Sequence, residues 1–180
     1  MVHYTNSMFR DAKNFNQDIS QWDVSNVENM EGMFAGARKF NQPIGNWKVD
    51  RVTDMHEMFE GAVAFNQPID SWFTFKVTNM SSMFAGAKKF NQDLSGWITA
   101  HVTNMSNMFH GAENFNQPIG GWAVNDVEDM AGMFEDAKSF NQRISRWKLN
   151  PDVNKRDMFK NCPIELKFKP KKHKEKTAAK

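Results

Sequence analysis

The sequence contains one Cys and one Tyr in 180 residues. A single Cys excludes an internal disulfide framework, so packing and hydrogen bonding must hold the fold, and redox compartment is left open. No apolar run approaches the roughly 20 residues that a membrane-spanning helix needs, and membrane insertion is not expected. The opening residues, Met1-Val2-His3-Tyr4-Thr5-Asn6, lack the basic and apolar segments of a secretory signal, and neither a lipobox Cys nor a wall anchor is present. Net charge is also small, +2 at pH 7. That value joins two unlike parts: residues 167–180 carry seven Lys and one Glu, while residues 1–166 are net −4. The division suggests one domain over 1–166 and a basic tail over 167–180.

What is abundant is Met (13), Phe (16) and Trp (6), and their positions explain the excess. Trp stands at 22, 47, 72, 97, 122 and 147, each 25 residues from the last. Met-Phe pairs recur from Met8-Phe9 through Met33-Phe34, Met58-Phe59 and Met83-Phe84 to Met158-Phe159, and Phe-Asn-Gln recurs from Phe15, Phe40, Phe65, Phe90, Phe115 and Phe140. A 25-residue unit is therefore repeated six to seven times without insertion in these columns. The chain enters at Val2 already in phase, which suggests a fragment of a longer array or a first coil covered by something else.

Within one copy, Val77, Met80, Met83, Phe84 and Ala87 have the spacing of one helix face. Thr78 or Asn79 would cap that helix, and the column Asp11, Gly36, Gly61, Gly86, Gly111, Asp136, Asn161 would end it in a left-handed residue. Phe90 to Leu94 reads as extended with both ends inward, although Pro43, Pro68 and Pro118 in the middle limit any sheet to a narrow ribbon. The expected fold is an α/β repeat solenoid with one short helix and one short parallel strand per repeat, its core residues including Met33, Phe34, Phe40, Trp47, Met58, Phe59, Phe65, Trp72, Met83, Phe84, Phe90 and Trp97. Ile164 to Phe168 alternates apolar and charged residues and reads as a closing strand.

The pattern Val-Thr-Asn-Met-x-x-Met-Phe-x-Gly-Ala-x-x-Phe-Asn-Gln-x-Ile-x-x-Trp resembles the repeat of the BspA-like leucine-rich-repeat surface proteins, in particular the unit of mycoplasma-type and Listeria-type surface lipoproteins. The resemblance covers residues 2 to about 164. It implies a leucine-rich-repeat-like right-handed coil, a cell-surface location, roles in adhesion or protein recognition, and no catalytic residues. The Lys-rich tail is no part of it, and without a leader or anchor the location stays unknown.

Nothing in the columns suggests catalysis or a cofactor. The five His fall in five different columns, and His56-Glu57 lacks the second His of a zinc-protease helix, Glu60 standing in its place. Cys162 occupies an Ala column and reads as a small buried residue, and the Met rows read as core before soft-metal ligands. The Trp row is either a plug at each coil's turn or, if exposed, a stacking ladder for glycans or bases. The Asn row from Asn16 to Asn141 is either a ligand-facing strip or an internal ladder bonding the adjacent coil. Asn79-Met80-Ser81 and Asn104-Met105-Ser106 match the glycosylation sequon but fall in the expected helix.

Solenoids bind through the columns their core leaves free. Between the Met-Phe segment and Phe-Asn-Gln these carry Lys13, Arg38, Lys39, Lys88, Lys89 and Lys138, a candidate basic stripe or an ordinary solvated face. Lys167, Lys169, Lys171, Lys172, Lys174 and Lys176 form a candidate docking tail for phosphate backbones, an acidic protein or anionic lipid. The leading expectation is a non-enzymatic interaction or scaffolding module with a protein partner. The alternatives are a structural subunit of a large assembly, a ribonucleoprotein or virion, docked through its basic tail, for which nucleic acid is a possible partner, and a glycan-binding surface adhesin.

Overall fold

The structure is a computed structural model and describes residues 4–171. Each repeat forms one coil, and successive coils stack with their repeat columns in register. They are numbered from the position that opens the Met-Phe segment, Val in coils 2 to 6 and Asp152 in coil 7: coil 1 to residue 26, coil 2 over 27–51, coil 3 over 52–76, coil 4 over 77–101, coil 5 over 102–126, coil 6 over 127–151 and coil 7 from 152.

The expected helix and strand are absent, and the α/β assignment is corrected accordingly. Among the described residues there is no α-helix and no extended strand; regular structure amounts to one 3₁₀ turn, Leu166–Phe168, and isolated parallel bridges. The Met-Phe segment shows why. Ser82 has φ +52° and Gly86 +66°, four residues apart, and both values are incompatible with a right-handed helix running through them. The N–H groups instead divide into two sets. Those of Met80, Ser82, Phe84 and Gly86 donate to Asn104, Ser106, Met108 and His110 carbonyls of the next coil at 2.9, 2.8, 2.9 and 2.7 Å. Those of Met83, Ala85, Ala87 and Phe90 close turns onto carbonyls three residues back, at 3.3, 3.1, 3.0 and 3.1 Å.

This division accounts for the misleading spacing. The first and fourth residues of a β-turn lie within about 7 Å of each other. Met80 with Met83, Phe84 with Ala87 and Ala87 with Phe90 are such pairs, so their side chains gather on one side as a helix face would. A two-turn helix is marginal by itself. Turns stacked coil on coil give these buried N–H groups a partner without one. The left-handed column from Asp11 to Asn161 does have positive φ throughout, as its Gly, Asp and Asn residues require.

The conformation at Ser82 supplies a test. A helix interior would favour Ala over Gly there by about 1 kcal/mol. The left-handed turn reverses the order: Ser82→Gly should be more stable than Ser82→Ala by about 1 kcal/mol in urea unfolding.

Parallel pairing occurs instead at the column expected to cap the helix, through the bridges Asn29↔Asp54, Asp54↔Asn79, Asn79↔Asn104, Asn104↔Asp129 and Asp129↔Asn154. It stops after one residue because each side chain folds back on its own backbone. Oδ1 of Asn79 accepts the Ser81 N–H at 3.1 Å, and Asn104 does the same for Ser106 at 2.9 Å, so local turns compete with a longer ladder. The two sequons thus lie in tight turns.

At Phe90 to Leu94 no strand forms either, though both end residues are fully buried. The Asn91 N–H bonds a side chain, Oδ1 of Asn66 in the coil below, at 2.9 Å. Ladder pairing passes through Asn side chains here, and for that reason the neighbouring Pro column is tolerated. Inside, the two Phe columns stack along the axis: the Phe84 ring centroid lies 4.1 Å from Phe90 and 5.6 Å from both Phe59 and Phe109. The Met columns from Met30 to Met130 and Met33 to Met133 are fully buried beside them.

The expected closing strand is also corrected. Leu166–Phe168 is the 3₁₀ turn; it leaves Leu166 exposed and packs Phe168 against the core, where the Phe168 carbonyl accepts the Ile144 N–H at 2.9 Å. Bending here brings Phe168 over coil 6, beside Arg143 and Ile144.

Candidate interaction surfaces

The basic stripe lies at one corner of the coils. Lys88 and Lys89 are the central residues of the turn that Ala87 and Phe90 close, and Lys13, Arg38, Lys39 and Lys138 occupy the equivalent positions. All six are exposed. The corners stack directly, since the N–H groups of Lys39, Ala64, Lys89 and Asn114 donate to the carbonyls of Lys13, Arg38, Val63 and Lys88 at 3.1–3.3 Å. Charge along this edge is discontinuous. Val63-Ala64 separates the Arg38-Lys39 pair from Lys88-Lys89, and Lys88 Nζ lies 2.9 Å from Glu113 Oε1.

Of the tail residues, Lys167, Lys169 and Lys171 are described, and Lys172, Lys174 and Lys176 lie outside the described residues. Lys167 pairs with Glu165 at 2.6 Å and also sits over the Phe168 ring, while Lys169 sits over Phe159 at 5.0 Å. A groove of about 610 Å³ opens at this end, with Leu149, Met158 and Phe159 on its floor and Lys155, Lys169 and Lys171 around it.

The Trp row faces inward. From Trp47 to Trp147 the indoles are at most 5% exposed, and Trp22 in coil 1 packs partly buried against the core. Each buried indole donates Nε1–H to the carbonyl 28 residues earlier; Trp97 reaches Ile69 at 3.0 Å and Trp122 reaches Leu94 at 2.9 Å. The described residues therefore offer no row of indole faces to a sugar or a base. Sequence periodicity suggested the plug but not this bond.

The Asn row is a ladder between coils. Oδ1 of Asn41 accepts the Asn66 N–H at 2.9 Å, and Gln67 Nε2 donates to the Asn41 carbonyl and Oδ1 at 3.1 and 3.2 Å; the pattern repeats along the stack. The Asn Oδ1 and Gln Nε2 groups are thereby committed to holding one coil on the next.

Titratable groups converge nowhere into a centre among the described residues. Among the described residues no group of three His, Cys, Asp or Glu could hold a metal ion. His56 lies between Asp54 (2.8 Å) and Glu31 (3.3 Å), a surface cluster spread over two coils. Glu60 has its carboxyl pushed up by burial and by neighbouring Glu57, which is itself held by Arg10 at 2.6 Å. Cys162 is half-buried, its thiol 3.5 Å from the Phe140 carbonyl and pushed up from its ordinary value by burial. Its alkylation by iodoacetamide at pH 7 is therefore expected to be at least tenfold slower in the native chain than in urea; equal rates would contradict this placement.

One feature escaped the sequence reading. Phe73 and Phe75 are 48% and 43% exposed, with stacked rings 5.9 Å apart, and exposed Ile98 lies in the next coil. A comparison of columns would have found it: the positions of Phe73 and Phe75 hold Asp23 and Ser25 in coil 1, and Lys48 and Asp50 in coil 2.

Coils stacked through backbone and Asn-Gln ladders, around columns of Phe, Met and Trp, define a tandem-repeat protein. The chain belongs to the DUF285 family, described as a Mycoplasma protein of unknown function, which it matches over residues 1–76 and 67–169. No curated protein and no solved structure matches it. No helix among the described residues is long and apolar enough to cross a membrane.

Proposed function

We propose that the protein is a non-enzymatic interaction module of the BspA-like surface-repeat type, a solenoid that presents its basic corner to an acidic protein surface. The observation that carries this reading is the corner itself. Its backbone is fixed by coil-to-coil bonds while its side chains vary freely and point to solvent, the arrangement by which repeat proteins recognise partners. Fixed spacing lowers the ordering cost of binding. Adhesion at a cell surface is the setting that the family resemblance favours.

A photo-crosslinking residue at position 64, between the two basic pairs, tests this in cells in which the protein is native. The reading expects discrete protein adducts that disappear when Arg38, Lys39, Lys88 and Lys89 are replaced by Glu and persist when residues 172–180 are deleted. Adducts indifferent to the charge reversal would refute it.

A second reading, a subunit docked to nucleic acid, is favoured by the gathering of Lys155, Lys169 and Lys171 at the terminal groove. Anisotropy titrations of RNA and DNA against the full chain and a form ending at Lys171 address it. Binding at near-physiological salt that weakens steeply as salt rises would favour this reading over the first. The cut belongs after Lys171 because Phe168 is packed on the core.

A further inference from the structure

The patch around Phe73 is not demanded by the fold. Its column reads Asp23, Lys48, Phe73, Ile98, Ala123, Lys148, and two residues on it reads Ser25, Asp50, Phe75, Ala100, Asn125, Asn150. The same backbone therefore tolerates charge at positions where coils 3 and 4 expose aromatic and aliphatic side chains. The patch is also fixed. Between Phe73 and Phe75 the inward residue is Thr74, where coils 1, 2 and 5 have Val24, Val49 and Val124. Thr74 Oγ1 donates to the Ile98 carbonyl at 2.9 Å and accepts the Ile98 N–H at 3.0 Å; Thr99 Oγ1 donates to the Ala123 carbonyl at 2.8 Å. These bonds tie coil 3 to coil 4 and coil 4 to coil 5 beneath the exposed rings. His101 meets Phe75 edge-on at 4.8 Å.

Charge changes sign across the patch. The column beside it reads Asn26, Arg51, Lys76, His101, Asp126, Pro151, cationic in coils 2 and 3 and anionic in coil 5. Arg51 already reaches Asn26 at 3.0 Å and Glu28 at 3.5 Å, contacts of exposed side chains that are worth little and can be exchanged.

We propose that this face joins two copies of the chain in an antiparallel, two-fold dimer. A two-fold axis between coils 3 and 4 sets Phe73 against Ile98 of the second copy, Phe75 against Ala100, and Arg51 against Asp126, each pair occurring twice. A parallel two-fold arrangement, whose axis runs along the stack, reverses the order of the columns across the interface and forgoes the Arg51–Asp126 pairs, so the charge column selects the antiparallel one. The apolar area is small beside that of a permanent interface, and the dimer dissociates on dilution. This face uses columns distinct from the basic corner, so the failure of either proposal leaves the other standing.

Sedimentation velocity across a wide dilution series tests the dimer, with thermal melts confirming that each variant is folded. The wild type is expected to show a reversible monomer–dimer equilibrium, weakened by high salt. Phe73→Ser with Phe75→Ser should leave only monomer. Arg51→Glu and Asp126→Arg should each weaken association at least tenfold, and the two together should restore it. A wild type that is monomeric at every concentration, dimerisation untouched by the Phe substitutions, or a double charge swap without recovery would each overturn the proposal.

Discussion

Phe84→Ala is expected to destabilise the chain by about 3–5 kcal/mol, read as a fall in the urea midpoint. The Phe84 side chain is fully buried and contributes to both directions of packing at once. Along the axis its ring stacks between Phe59 and Phe109 at 5.6 Å; across the coil it meets Phe90 at 4.1 Å and Trp97 at 6.2 Å. Truncation opens a cavity whose walls are themselves pinned by coil-to-coil bonds and so cannot close in. Because contacts in such a stack are between neighbours, the loss also weakens the coupling of coils 1–3 to coils 5–7. Hydrogen exchange should then show the two halves of the chain opening independently. The same substitution at Phe9, which lies in coil 1 and is only partly buried, should cost distinctly less. Equal costs at the two positions would mean that the stack does not derive its stability from the axial Phe columns.

Gly86→Val is the second large effect, expected at about 1–3 kcal/mol by the same measurement. The cause is backbone conformation. A Cβ at Gly86 would lie 3.7 Å from the nearest Gly61 atoms, ordinary contact, so there is room for a side chain. At φ +66°, however, a β-branched residue is strained, while Asn and Asp tolerate the region. The column makes the point internally, since Asp11, Asp136 and Asn161 adopt φ of 58°, 57° and 55°. Gly86→Asn should therefore be nearly neutral. Were Asn as costly as Val, crowding between coils would be the cause, and the left-handed turn would not be the constraint it is taken to be.

The 25-residue register, the core columns and the left-handed position were legible in the sequence, because each is a demand that every coil makes again and chance cannot repeat. Val77, Met80, Met83, Phe84 and Ala87 all point inward, as their spacing required. Secondary structure was not legible. Spacings of three and four arise equally from a helix and from a chain of β-turns, and only the second left-handed residue, at Ser82, distinguishes them. Nothing about Ser announces that conformation, though Gly32 and Gly132 in its column hint at it.

Among the surfaces, the basic corner was readable as variable columns, but its interruption at Val63 and the Lys88–Glu113 pair depend on which coils touch. The Phe73–Phe75 patch was hidden because aromatic residues elsewhere in the chain are core, and burial is decided by the stack. By itself the sequence determined the repeat, its period and the inward Met and Phe columns, since those follow from composition recurring at fixed spacing, while burial of the Trp row was decided by the stack. Only the tertiary structure decided that the N–H groups of the Met-Phe segment turn alternately to their own coil and to the next, because a hydrogen bond between residues 24 apart exists only once the coils are stacked.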